Sequence, residues 1–106
     1  MLVWGYRPDV FVYTRMPAAS PFLDSQPLTG VIADRHLVES KPTFPDLARR
    51  NRGLLTSTRP EFIADGLGLL NPSLAITAYP ELRDWMQRNG MAEIGRTAGT
   101  IVYKRR

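Results

Sequence analysis

The chain of 106 residues contains no cysteine. Disulfides, thiolate metal sites and cysteine nucleophiles are excluded together. It has one histidine, His36, so a histidine-rich metal site is excluded too, and its neighbours Asp34 and Arg35 do not complete a mixed one. No apolar run approaches the roughly 20 residues that span a bilayer. The first residues lack the order of basic region, apolar segment and small-residue cleavage site that marks an export signal. Catalytic signatures are also missing. No serine lies in a Gly-x-Ser-x-Gly elbow, and the scattered acids give no pair that can be set across a glycosidic bond from sequence. Gly66-Leu67-Gly68 lacks the third glycine of a dinucleotide loop, and Pro72 stands where that loop's helix should open.

What is present suits one globular domain over residues 1–106. The hydrophobic fraction is 43%, with two Trp, four Tyr and four Phe. A chain of this size buries roughly 60–70% of the surface its unfolded form exposes. The formal net charge is +4, from 14 basic and 10 acidic residues. That excess suits nucleic acid or an anionic surface, but no alternation of aromatic and basic residues accompanies it, so a solvated basic surface is the favoured reading.

Apolar patterning begins at once. Leu2-Val3-Trp4-Gly5 reads as a buried strand ending in a tight turn. A core starting at residue 2 is expected of a very compact domain or of a piece of a longer protein. Pro8 opens a short predicted helix with Asp9 near its positive end. Phe22-Leu23 is a candidate second strand, and Leu28 to Ala33 is ambiguous. Thr43 is the expected N-cap of an amphipathic helix, with Asp46 completing a capping box and Phe44, Leu47, Ala48 and Leu55 on the core face. Arg49, Arg50 and Arg52 fall mostly off that face. They suit either phosphate contacts or a solvated surface, and the latter is favoured.

Glu61 to Asp65 reads as a core strand closed by Gly66. Pro80 then opens a helix whose core face is Tyr79, Leu82, Trp85 and Met86, with Asn89-Gly90 as its left-handed stop. Met91 to Gly95 and Thr100 to Lys104 form a predicted hairpin. The order of elements implies an α/β fold: a three-layer sandwich around a small, Rossmann-like, mostly parallel sheet with a C-terminal antiparallel hairpin.

Open α/β sheets bind ligands beyond the carboxyl ends of their parallel strands. Here that selects Gly5, Tyr6, Arg7, Asp65, Gly66, Gly68 and Asn71 as a candidate ligand-binding cleft. Asp65 suits a sugar hydroxyl or a cation, and Arg7 a phosphate. The competing reading has Asp65 capping backbone amides of the glycine loop, a common role for Asp at turns, and it is favoured. Trp4, Trp85 and Tyr79 are expected in the core. No catalytic residue, metal site or cofactor is indicated.

Several stretches together resemble the C-terminal extracytoplasmic domain of bacterial polytopic membrane glycosyltransferases of the dolichyl-phosphate-mannose-protein mannosyltransferase-like group. They are residues 2–9 (Leu-Val-Trp-Gly-Tyr-Arg-Pro-Asp) through Val12-Tyr13, 17–22 (Pro-Ala-Ala-Ser-Pro-Phe), 59–66 (Arg-Pro-Glu-Phe-Ile-Ala-Asp-Gly), 79–85 (Tyr-Pro-Glu-Leu-Arg-Asp-Trp) and the end of the hairpin, 102–106 (Val-Tyr-Lys-Arg-Arg). The resemblance implies a parent enzyme in the bacterial inner membrane that transfers a mannose-like sugar from a polyprenyl-phosphate donor, with this domain on the periplasmic or outer face. In such enzymes the acidic residues of transfer lie in the membrane-embedded part, so no catalytic residue carries over. The implied partners are the transmembrane part of the same polypeptide and a glycan or protein acceptor. The alternative is a free-standing cytosolic α/β module binding an anionic ligand or nucleic acid through its arginines; in the leading reading nucleic acid is not an expected partner.

Overall fold

The computed structural model describes residues 1–5, 14–22, 25–31 and 41–106. They form a four-stranded mixed sheet with helices. The strands are β1 (Leu2–Trp4), β2 (Phe62–Asp65), β3 (Met91–Arg96) and β4 (Ile101–Arg105), and the α-helices are α1 (Gln26–Thr29), α2 (Pro45–Leu55) and α3 (Pro80–Arg88). Two 3-10 turns, Pro72–Leu74 and Ile76–Ala78, link β2 to α3.

The spatial order is β1-β2-β4-β3. β1 runs parallel to β2, with Leu2 beside Ile63 and Trp4 beside Asp65. The other two pairings are antiparallel. The expectation of a mostly parallel sheet is therefore corrected to a mixed one with a single parallel pair. The hairpin is present as expected, and it docks through β4 onto β2, so among the described strands the one parallel step is the crossover from β1 to β2. An irregularity between Glu93 and Gly95 leaves Ile94 as the extra residue of a bulge.

Alternation along the strands separates the two faces. Leu2, Trp4 and Ile63 point to one face. There they join Leu28 of α1, Leu55 of α2, and Leu82, Trp85 and Met86 of α3 in one buried cluster. All three described helices thus pack on the same side. Phe62, Ala64 and Val102 point to the other. The predicted helix at Pro8 and the Leu23 half of the candidate second strand lie outside the described residues. Phe22 is not in a strand.

α3 forms as its sequence dictates. Pro80 takes the first helical position, Leu82, Trp85 and Met86 are buried, and Gly90 adopts a left-handed φ of 67° just past the end. α2 departs from expectation at its start. Phe44 rather than Thr43 is the N-cap, Pro45 takes the first position, and no side chain caps the helix. Only Ala48 and Leu55 of its expected core face are buried, while Phe44 and Leu47 are exposed. The physical reason is geometric. The stripe that meets the neighbouring helices is narrow, carried by Ala48 beside Gly30 and by Leu55 in the core cluster, so residues a quarter-turn or more away from it stay in solvent.

Candidate functional site

Gly5, Asp65, Gly66, Gly68 and Asn71 are brought together where β1 and β2 end side by side. Tyr6 and Arg7 lie outside the described residues, as does His36. Gly66 N–H donates to the Trp4 carbonyl at 2.7 Å, extending the parallel ladder by one step. Beyond it stand the chain's own groups. Gly5 N–H donates to Ser25 Oγ at 2.7 Å, and Ser25 N–H donates back to the Gly5 carbonyl at 2.9 Å. Gly5 has φ 140°, a backbone conformation that suits glycine, and a Cβ there would stand 3.4 Å from the Gly66 carbonyl carbon.

Asp65 is fully buried. Its Oδ1 accepts the amides of Leu67 at 2.9 Å and Gly68 at 2.8 Å, and its Oδ2 accepts the amide of Ile76 at 3.1 Å. One carboxylate therefore holds both the turn after β2 and the second 3-10 turn, eleven residues on. Burial pushes the Asp65 carboxyl above the ordinary range, and the three amide donors pull against that rise without cancelling it. Gly68 is required by close approach: a Cβ would lie 2.8 Å from that of Ala75 and 2.9 Å from Asp65 Oδ2. Asn71 Oδ1 accepts from Ser73 N–H at 3.2 Å and caps the first 3-10 turn. What this arrangement does chemically is hold backbone. The amide-capping reading of Asp65 matches its contacts.

A second polar assembly, absent from the sequence expectations, joins the helices. Arg52 Nε donates to Glu81 Oε1 at 2.6 Å, its Nη1 donates to the Leu28 carbonyl at 2.7 Å, and its guanidinium lies 4.5 Å from the centre of the Tyr79 ring. Tyr79 in turn meets Trp4 edge-on at 5.6 Å, and Trp4 Nε1 donates to the Leu74 carbonyl at 2.8 Å. Burial acts to raise the Glu81 carboxyl, but the hydrogen bond and charge of Arg52 outweigh it and hold the group below its usual range. One of the three arginines offered for phosphate contact is thus a tie between α1, α2 and α3. Its position off the apolar stripe gave no sign of this, because the carbonyl and carboxylate it meets come from distant segments. Trp4 and Trp85 are buried and Tyr79 packs against the core, as expected from sequence.

Among the described residues no buried side-chain nitrogen or oxygen lacks a partner. None of them forms a group of three or more acidic or histidine side chains able to hold a metal ion, and no helix is long and apolar enough to cross a membrane. No family model, curated protein or solved structure matches this chain.

Proposed function

We propose that this chain is the extracytoplasmic accessory domain of a bacterial membrane glycosyltransferase, without transfer activity of its own. The parent enzyme transfers a mannose-like sugar from a polyprenyl-phosphate donor. The domain sits on the periplasmic or outer face of the inner membrane, where its partners are the transmembrane part of the same polypeptide and a glycan or protein acceptor. The finer architecture belongs to the same reading: a three-layer, Rossmann-like sandwich.

The observation that carries the reading is what the resembling stretches do in the fold. Residues 2–5, 59–66 and 79–85 supply Trp4, Ile63, Asp65, Leu82 and Trp85, all buried, and Asp65, the strongest candidate for chemistry, is held by three backbone amides. A resemblance carried by framework residues, with the buried acid committed to that framework, suits a positioning or stabilising part better than a catalytic one.

The genomic reading frame upstream of Met1 tests the proposal. Several apolar segments of about 20 residues in frame are the expected result; an in-frame stop codon directly upstream overturns it. With the full protein in hand, deleting residues 1–106 is expected to lower sugar transfer, while the isolated chain turns over no polyprenyl-phosphate sugar. Salt-dependent binding of DNA or RNA by the isolated chain would instead favour a free-standing anion-binding module.

A further inference from the structure

The end of the sheet opposite the candidate cleft gathers cations that lie far apart in sequence. There β2 begins and β4 finishes, with Phe62 beside Lys104. Arg105 N–H donates to the Glu61 carbonyl at 2.8 Å, and Arg105 Nη1 donates to the Arg59 carbonyl at 2.9 Å. Arg106 N–H donates to the Gly90 carbonyl at 3.1 Å, and Trp85 Nε1 donates to the Thr58 carbonyl at 3.2 Å. These two bonds bring the last turn of α3, with Arg88, to the same end. Arg59, Arg88, Lys104, Arg105 and Arg106 therefore surround one pole of the molecule, and all but the half-buried Arg105 are exposed.

None of the five belongs to an ion pair; among the described residues the pairs are Arg52–Glu81 and Glu93–Arg96. Glu61 and the terminal carboxylate are the acids at this pole, and Glu61 also acts on the Met1 amino group, which donates to the Pro17 carbonyl at 2.8 Å. Like charges gathered with so few carboxylates repel one another, and an anionic surface relieves that repulsion. Four of the five are arginines, whose guanidinium fork matches phosphate oxygens two at a time. The cations surround the end of a sheet rather than follow a strand. Phe44, the exposed aromatic ring among the described residues, stands at the far end of α2, so no base-stacking platform accompanies them. Leu54 does accompany them: it is 57% exposed in the last turn of α2, just before the turn that leads to Arg59. An apolar side chain beside a basic cluster suits a bilayer interface, where phosphates meet the arginines and the acyl boundary takes the leucine.

We infer that this pole docks on an anionic phospholipid bilayer, with Arg59, Arg88, Lys104 and Arg106 at the headgroup phosphates and Leu54 entering the layer. The inference stands on the chain's own charges and not on the parent-enzyme reading. The test measures co-sedimentation of the 106-residue chain with vesicles of phosphatidylcholine alone and of phosphatidylcholine mixed equally with phosphatidylglycerol. Binding to the mixed vesicles alone is expected, and it should fall steeply as salt shortens the screening length from roughly 30 Å to 8 Å. Arg59→Gln, Arg88→Gln and Arg106→Gln should each lower the partition coefficient about fivefold. Arg49→Gln and Arg50→Gln, midway along α2, should lower it less than about twofold. Leu54→Ser should lower it about fivefold, because its exposed side chain no longer leaves water. All these positions are exposed, and an unchanged far-ultraviolet spectrum checks that each variant folds. No binding to the mixed vesicles, equal binding to both kinds, equal losses from the α2 arginines, or tighter binding of a duplex oligonucleotide at matched phosphate concentration would each overturn the inference.

Discussion

On the helix-covered face of the sheet, Trp4, Asp65, Arg52 and Glu81 all have partners inside the fold. On the opposite face Phe62, Ala64 and Val102 present a carbon-rich surface, and Lys104 lies over the Phe62 ring with no carboxylate partner among the described residues. Both faces belong to the same short strands: Ile63 and Phe62 are neighbours in β2 and point opposite ways. The difference teaches that residue type alone does not mark a site. The buried acid on the first face is framework, while the described part of the other face is mainly apolar.

The sharpest way to break this comparison is to remove framework. Trp4→Ala deletes a fully buried ring and its hydrogen bond to the Leu74 carbonyl, and a loss of about 3–5 kcal/mol is expected in denaturant unfolding. Asp65→Ala leaves three buried amides without an acceptor, for an expected loss of about 3 kcal/mol. Asp65→Asn keeps one acceptor oxygen and should lose less. Arg52→Gln removes the contacts to Glu81 and the Leu28 carbonyl and should cost about 1–2 kcal/mol, discounted because the Glu81 side chain is 40% exposed. Val102→Ser on the opposite face is expected to cost less than about 1 kcal/mol, since Val102 is only half-buried. The equivalent change at Ile63, fully buried one strand away, should cost several times more.

A pH series sharpens the same contrast. Because burial raises the folded-state carboxyl of Asp65, the folded protein holds a proton there that the unfolded chain releases more readily. The resulting stability is fully present below the ordinary carboxyl range and is lost as pH rises through the raised value. Melting temperatures of the wild type and Asp65→Asn, compared across that window, should converge or cross as pH rises; parallel curves would refute a raised carboxyl.

Part of this was legible in the sequence. α3 and the hairpin follow from local signals: Pro80 at a helix start, apolar residues at helical spacing, Gly90 at the stop and a glycine at the hairpin turn. β2 was legible because Phe62 to Asp65 is a short apolar run bounded by Pro60 and Gly66. The mixed sheet was not, since strand pairing is non-local and nothing within the hairpin tells which strand docks on β2. Nor was the exposure of Phe44 and Leu47, because periodicity gives the direction of a stripe but not how much of it the neighbouring helices cover. Around the candidate site, Asp65 as an amide cap was readable from its place before Gly66 and Gly68. Ser25 and Arg52 were not, as each meets its partner through contacts 20 or more residues away in sequence. The apolar opposite face left one trace, the alternation that puts Phe62 and Ala64 opposite Ile63 and Asp65.

The central claim is that Asp65 is a structural latch rather than a ligand-binding acid, and hydrogen exchange of the amides it holds tests this most directly. In the native protein the amides of Leu67, Gly68 and Ile76 should be protected close to the level of global unfolding, and Asp65→Asn should reduce protection at Ile76 most, because a nitrogen at Oδ2 cannot accept its proton. Exchange of these three amides at the rate of an open loop, unchanged by the substitution, would contradict the account.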